Sequence, residues 1–186
     1  KVIYTPADTT DDKTVTWSSA DEKIATVKNG VVTAKATGTT KITATVGTHK
    51  AECTVTVNAK LTGIKVTPDK VTVEKGQKAN LNVTYLPADT TDEKAVTWKS
   101  ENESVATVDE NGVVTAVAGG KTKVIATAKA NNKITAVCEV KVPIHTESIA
   151  LNKTEITDLL KGKTEKLEVS FIPSNTEDSR EVKWTS

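Results

Sequence analysis

Aromatic side chains make up only 3% of the 186 residues, and methionine is absent. Few aromatic residues argue against nucleic-acid binding, which combines stacking side chains with a basic stripe. The charges provide no such stripe, because 25 Lys and Arg residues are balanced by 24 Asp and Glu residues and the signs are interspersed. No apolar run approaches the roughly 20 residues of a membrane-spanning helix. We expect neither nucleic-acid binding nor direct membrane insertion in this segment.

Residues typical of catalytic sites are also scarce. The only two histidines, His49 and His145, lie in a predicted turn and at a predicted junction, and neither has a recurring partner. The sequence shows no Ser-His-Asp pattern, no zinc-ligand spacing of Cys and His, and no glycine-rich phosphate loop. We therefore predict that the protein is not an enzyme and that it needs no cofactor.

A domain-length repeat is the main feature that is present. The segment Val15-Thr16-Trp17-Ser18-Ser19 recurs in similar form at residues 96–100 and 182–186, so the tryptophans are 81 and then 86 residues apart. That spacing is long enough for one small domain. A repeat of this length indicates a multiplied module instead of a single active site.

The repeats divide the chain into one complete domain and two partial ones. Residues 60–143 form the complete repeat, residues 1–58 the C-terminal part of a first repeat, and residues 145–186 the N-terminal part of a third. Without an initiating methionine or an apolar leader, we expect a piece of a longer polypeptide. Because half a sandwich is not expected to be stable alone, neighbouring repeats of the same chain or of another copy are the predicted partners.

Local alternation predicts an all-β fold. Thr and Val are abundant, and β-branched residues favour strands. Pairs such as Val71 and Val73, or Val96 and Trp98, place apolar groups on one face of a strand. Turn signals such as Asn111-Gly112 separate the runs. This pattern predicts a sandwich of two antiparallel β-sheets in each repeat.

The large apolar residues of these strands are the predicted core. Tryptophan recurs on an alternating strand in every repeat, which favours a core anchor over an exposed platform for sugars. Tyr85 lies on a neighbouring alternating strand. The predicted aromatic core residues are Trp17, Trp98, Trp184 and Tyr85.

The two cysteines occupy equivalent positions in the first two repeats. Cys53 and Cys138 both lie on the predicted inward side of the last strand of their repeat. A disulfide between them needs Cα atoms within about 7 Å, which separate domains in a row do not provide. We predict two buried free thiols that pack as small hydrophobic groups, with a reactive or metal-binding thiol as the alternative.

The order of these motifs resembles group 2 of the bacterial immunoglobulin-like domain family. The residues that carry the resemblance are Ile64-Lys65-Val66, Gly76, Leu81-x-Val83-x-Tyr85-x-Pro87, Val96-Thr97-Trp98-x-Ser100, residues 105–108 and residues 112–116. The resemblance implies tandem immunoglobulin-like sandwiches on bacterial surface or secreted proteins, including adhesins. It also implies two other settings, as accessory modules of secreted hydrolases and in phage structural proteins.

An acidic loop recurs after the Tyr-x-Pro strand. It contains Asp89, Asp92 and Glu93 in the second repeat, and Asp8, Asp11 and Asp12 in the first. Oxygen ligands on a loop suit calcium, although their spacing differs from that of an EF-hand. Asp beside Thr also caps turns through local hydrogen bonds. A turn role and a weak calcium site are the two interpretations of this loop.

Short linkers join the repeats. Residues 58–61 and residues 143–146 are the candidate linkers, and connections of this length restrict how neighbouring domains swing. We therefore expect an extracellular, semi-rigid spacer with a role in adhesion. Its partners would be a host-surface protein or a carbohydrate. The alternatives are an accessory or carbohydrate-binding module of a secreted glycoside hydrolase, and a phage structural or decoration protein.

Overall fold

The computed structural model describes residues 2–5, 7, 10 and 12–185. Within these residues it contains sixteen β-strands and no helix, which confirms the predicted all-β class. It follows that no helix of the described chain has the length and apolar character needed to cross a membrane.

The described residues of the first repeat contribute five strands. Three of them form an antiparallel sheet in the order β1-β4-β5, and the other two form the hairpin β2-β3. The bounds are β1 Thr16–Ser19, β2 Ala25–Lys28, β3 Val31–Ala34, β4 Gly38–Val46 and β5 His49–Val57.

The second repeat contributes nine strands in three sheets. One sheet has the order β10-β13-β14-β7, a second has the order β11-β12-β8, and β6 pairs with β9. The bounds are β6 Gly63–Thr67, β7 Lys70–Thr72, β8 Lys78–Asn80, β9 Asn82–Leu86, β10 Val96–Ser100, β11 Ala106–Val108, β12 Val113–Ala116, β13 Gly120–Ala128 and β14 Thr135–Val142. The third repeat contributes the antiparallel pair β15, Ser148–Leu151, and β16, Val169–Ile172.

The predicted Asn-Gly turns join strands as expected. Asn29 and Gly30 have φ angles of 51° and 76° and connect β2 to β3. Positive φ at both central residues gives a hairpin turn whose twist matches that of the strands. In the second repeat, the Asp109 carboxylate accepts hydrogen bonds from the amides of Asn111 and Val113, each at 2.9 Å.

The core of the second repeat follows the alternation of its longest strands. On β13, Thr122, Val124 and Ala126 are buried while Lys121 and Lys123 are exposed. In the register of β13 and β14, Val124 lies opposite Cys138, which is fully buried. The largest side chains that are less than 2% exposed in this repeat are Val114, Val124, Val140, Val142 and Cys138.

One strand pair differs from the predicted antiparallel sandwich. β7 pairs with β14 in parallel, with Val71 opposite Val140. Hairpin connections impose antiparallel pairing, whereas β7 and β14 are separated in the chain by six strands and carry no such constraint. Alternation within each strand cannot reveal this direction.

The prediction that Cys53 is buried is wrong. Cys53 is exposed, whereas Cys138 is fully buried. Cys138 lies on β14, which has β13 on one side and β7 on the other, while among the described strands the β5 strand of Cys53 pairs only with β4. Within the described residues no strand of the first repeat takes the place of β7, so the thiol of Cys53 remains uncovered.

The predicted aromatic core is only partly formed. Trp184 is 55% exposed, which contradicts its assignment as a core anchor. Residues 173–185 contain no described strand, so the tryptophan has no sheet to pack on. Trp17, Trp98 and Tyr85 are half-buried. The indoles of Trp17 and Trp98 lie against the turn glycines, because a Cβ built on Gly30 or Gly112 would be 3.0 or 2.7 Å from Cζ2 of the respective ring.

Contacts group the chain into two compact units. The first unit contains residues 1–63 and 85–94, and the second contains residues 64–84 and 95–186. Residues 85–94 belong to the second sequence repeat but group with the first unit. Hydrogen bonds join residues 90–92 to residues 59–61 of the first linker within this unit.

Candidate functional site at the repeat junctions

The first junction is a set of hydrogen bonds between the linker and the acidic loop of the second repeat. The amide of Leu61 donates to Asp92 Oδ2 at 2.7 Å. The Ala59 carbonyl accepts from the Thr90 hydroxyl at 3.0 Å and from the Thr91 amide at 2.9 Å. The loop thus binds a carbonyl and an amide of the linker two residues apart.

The second junction repeats these bonds. The amide of Thr146 donates to Asp178 Oδ2 at 2.7 Å. The Ile144 carbonyl accepts from the Thr176 hydroxyl at 3.1 Å and from the Glu177 amide at 2.7 Å. We call this shared arrangement, formed by Thr90 to Asp92 with residues 59–61 and by Thr176 to Asp178 with residues 144–146, the linker clasp.

Each loop is shaped by a turn that starts at a proline. The amide of Thr90 donates to the Pro87 carbonyl at 3.1 Å, and the amide of Thr176 donates to the Pro173 carbonyl at 3.2 Å. Both threonine side chains are buried, at 6% and 7% exposure. Each hydroxyl also accepts from the amide of the aspartate two residues later, at 3.3 and 3.2 Å. The hydroxyl therefore aligns the aspartate and binds the linker carbonyl at once.

Charged side chains surround both clasp carboxylates. Lys60 Nζ lies 3.2 Å from Asp92 Oδ1. The amide of Leu61 and then the ammonium group of Lys60 lower the pKa of Asp92 from its ordinary value. At the second junction the amide of Thr146 and then the ring of His145 lower the pKa of Asp178. Both carboxylates are thus held in the ionised form that accepts the linker amide.

The predicted calcium ligands do not converge in the described structure. Asp89 accepts a hydrogen bond from the Thr37 hydroxyl at 3.2 Å, and Asp92 is bound to the linker. Asp12 accepts from the amide and hydroxyl of Thr14, at 2.9 and 2.6 Å. Asp8 and Asp11 lie outside the described residues. Among those described, no three His, Cys, Asp or Glu side chains form a metal-binding group.

Glu93, the remaining predicted ligand, is exposed. A weak calcium site stays the alternative interpretation of this loop. The local turn role is visible in the described residues, and it includes a partner that the sequence did not suggest, namely the linker.

A comparison with known families decides what kind of module these junctions connect. The family model for the bacterial Ig-like domain, group 2, matches residues 1–55 and 60–138, which is more than half of the chain. The chain belongs to this family. The match confirms the resemblance seen in the motifs, and it covers the first repeat and most of the second.

Relatives of these Ig-like repeats occur in proteins of quite different description. Ice-binding protein 1 of Shewanella frigidimarina is 35% identical over 65% of this chain and 14% of that protein. The Ig-like virion protein of Serratia phage KSP90 is 37% identical over 74% of this chain and 55% of that protein. A lacto-N-biosidase of Bifidobacterium bifidum is 38% identical over 60% of this chain and 10% of that protein. The chain therefore spans from a tenth to about half of the length of these relatives.

A groove on the complete Ig-like repeat is a second candidate binding surface. It has a volume of about 510 Å³ and is lined by polar and apolar residues of β7, β13 and β14. The charged residues that line it are Lys70, Lys121, Lys123, Lys141, Glu101 and Glu139, and Lys70 pairs with Glu139 at 3.0 Å. Four lysines against two glutamates leave the groove with a net positive charge.

The linker clasp is the feature that sequence reasoning missed. The acidic loop and the linkers were both recognised, but their connection spans about thirty residues of sequence. One signal was available. A Thr at one position and an Asp two residues later recur in the second and third repeats, each at a similar distance after a linker.

Proposed function

We propose that the chain is a non-catalytic, semi-rigid spacer segment of an extracellular bacterial protein with a role in adhesion. The supporting observation is the linker clasp, which forms with the same bonds at both described junctions. A spacer needs its modules to keep their direction. Tying the linker backbone to the following repeat restricts the torsions about which modules would otherwise swing.

The energetics of a short linker favour this role. Ordering the backbone of one residue costs about 1–2 kcal/mol. The neutral bonds of the clasp, at about 0.5–1.5 kcal/mol each, and its bond to the ionised aspartate, at about 1.5–3 kcal/mol, can offset that cost for a linker of about three residues. A longer linker would need many more bonds. The clasp and the short linker therefore act together to hold successive Ig-like modules.

The spacer role is tested by the distance between two modules. Nitroxide labels on the exposed Cys53 and on a cysteine introduced by Lys99→Cys, in a Cys138→Ala background, report one distance by pulsed dipolar spectroscopy. We expect a single narrow distribution that broadens in Asp92→Ala. The matched control is Asp21→Ala, since Asp21 caps the amide of Lys23 in its own loop at 2.9 Å. A broad distribution in the parent protein would contradict the spacer role.

Adhesion is the part of the proposal that concerns partners. We expect the partner to be a host-surface protein or a carbohydrate, bound on exposed loops or in the groove of the second repeat. A glycan array and a panel of host-matrix proteins test this with the full chain. Binding that weakens in a Lys123→Glu variant, which reverses one charge in the groove, would locate the partner there. No binding to either panel would leave the spacer role without adhesion.

The second candidate function is an accessory or carbohydrate-binding module of a secreted glycoside hydrolase. It is supported by the lacto-N-biosidase relative and by the groove. The virion-protein relative supports a phage structural or decoration protein in the same way. Deleting these repeats from the parent polypeptide separates the options. If the deletion lowers enzyme activity on a polymeric substrate, the accessory-module function replaces the adhesive role. If it abolishes virion attachment, the phage function does.

A further inference from the structure

His145 lies between two carboxylates at the second junction. Its Nδ1 is 2.8 Å from Asp178 Oδ1, and its Nε2 is 2.8 Å from Glu74 Oε2. Ionised carboxylates only accept hydrogen bonds, and a neutral imidazole carries only one N–H. Donating to both carboxylates at once therefore requires the doubly protonated, positively charged ring.

The two carboxylates come from different repeats. Glu74 follows β7 in the second repeat, and Asp178 follows β16 in the third. Asp178 also accepts the Thr146 amide of the linker clasp, so the ring joins the clasp to the preceding repeat. The neighbouring charged groups at this junction, Lys141 and Glu177, form their own ion pair at 2.6 Å.

The first junction has a lysine where the second has His145. Lys60 precedes Leu61 as His145 precedes Thr146, and its ammonium group lies 3.2 Å from Asp92 Oδ1. A lysine side chain is charged throughout the neutral range, whereas an ordinary histidine loses its proton near pH 6.5. The two junctions share the backbone bonds of the clasp but differ in the cation beside its carboxylate.

We infer that His145 makes the second junction a pH-dependent clasp, tight when the ring is protonated and looser at higher pH, while the first junction holds throughout the neutral range. The consequence of this response would be a change of stiffness at one junction of the array. Only that consequence rests on the proposed spacer role. The ligand that this junction binds is a proton, taken up by the His145 ring.

The direction of the pH dependence follows from the charged groups around the His145 ring. Asp178 and then Glu74 raise the pKa of His145, so the stabilisation by the ring is complete below about pH 6.5, the ordinary histidine value, and is lost as the pH rises through the higher folded value. The Thr146 amide and His145 lower the pKa of Asp178. The stabilisation by the Asp178 carboxylate is complete above about pH 3.9, the ordinary pKa of an aspartate. It is lost as the pH falls through the lower pKa of the folded state. The second junction is therefore tightest between about pH 4 and 6.5.

Amide hydrogen exchange on the full chain tests the inference, with the first junction as an internal control. From about pH 6 to 8.5, we expect the protection factors of the Thr146 and Glu177 amides to fall about two- to fivefold, as for loss of an exposed ion pair. Those of Leu61 and Thr91 should stay constant. In His145→Lys, we expect all four to stay constant.

Two results would overturn the inference. One is that the amide protection factors change equally with pH at both junctions of the parent protein, or do not change at either. The other comes from nitrogen-15 spectra of the ring in a His49→Gln background, where a neutral His145 at about pH 6 would exclude the bridge even if His145→Lys failed to fold. Neither measurement depends on adhesion or on the distance between modules, so failure here is distinct from failure of the spacer role.

Discussion

Gly112 is the residue at which a turn and the core of the second repeat meet. Its φ of 79° is unfavourable for other residues, and an added Cβ would lie 2.7 Å from Trp98 Cζ2 and 2.9 Å from the Leu81 carbonyl oxygen. Gly76 has a similar φ of 82° but open space around the same position. The pair separates the cost of the backbone conformation from the cost of the contact.

We therefore expect Gly112→Ala to be clearly more destabilising than Gly76→Ala. The left-handed conformation costs about 1–2 kcal/mol in both variants, and overpacking against Trp98 adds about 1–3 kcal/mol in the first. Urea unfolding followed by tryptophan fluorescence measures both free energies. Equal losses in the two variants would show that the indole does not pack on the glycine.

The two cysteines should react at very different rates in the native protein. Cys53 is exposed, whereas Cys138 is fully buried and its burial raises the pKa of the thiol. Because the thiolate is the reactive form, Cys138 should be inert until the protein unfolds. A thiol reagent under native conditions should modify one cysteine quickly, and mass spectrometry of peptides should place it at residue 53. Fast modification at Cys138 would contradict the described core.

At the scale of elements, the clasp depends on a buried hydroxyl. Thr90→Val keeps the shape of the side chain but removes the donor to the Ala59 carbonyl and the acceptor of the Asp92 amide. We expect a loss of about 0.5–1.5 kcal/mol in the free energy of unfolding, because the Asp92 amide loses its acceptor while the Ala59 carbonyl keeps the Thr91 amide. Thr84→Val, on the exposed face of β9, is the matched control and should stay within about 0.5 kcal/mol of the parent.

The clasp also gives an expectation for calcium. Asp92 binds the Leu61 amide through one oxygen and Lys60 through the other, so a metal ion would have to displace both. We expect millimolar calcium to produce neither heat in titration calorimetry nor a change in melting temperature. Stabilisation by calcium that disappears in Asp89→Asn would favour the metal interpretation instead.

The elements show which features the sequence could reveal. Alternation and turn residues predicted strands such as β13 and the Asn-Gly turns, because both depend on residues close together in the chain. Burial of Cys53 and Trp184 was predicted wrongly, because burial depends on a covering strand that alternation does not detect. The clasp was missed for a related reason. Its partners lie about thirty residues apart, and only their recurrence in two repeats marks them.

In the whole molecule, the connections between modules carry the proposed role more than any single site does. A family of Ig-like domains that recurs in differently described proteins supplies a stable module. In this chain the clasp fixes each linker to the loop of the repeat that follows it. Hydrogen bonds from the loop residues hold the backbone of both linkers, while Lys60 and His145 make the two junctions respond differently to pH.

Nitrogen-15 relaxation of the linker amides measures whether the clasp fixes the linkers. If the clasp fixes the linkers, the order parameters of Leu61 and Thr146 should match those of rigid strands, at about 0.85. In Asp92→Ala the value at Leu61 should fall while that at Thr146 stays unchanged. Order parameters below about 0.6 at both linkers of the parent protein would contradict the claim, because the linkers would then be mobile despite the clasp.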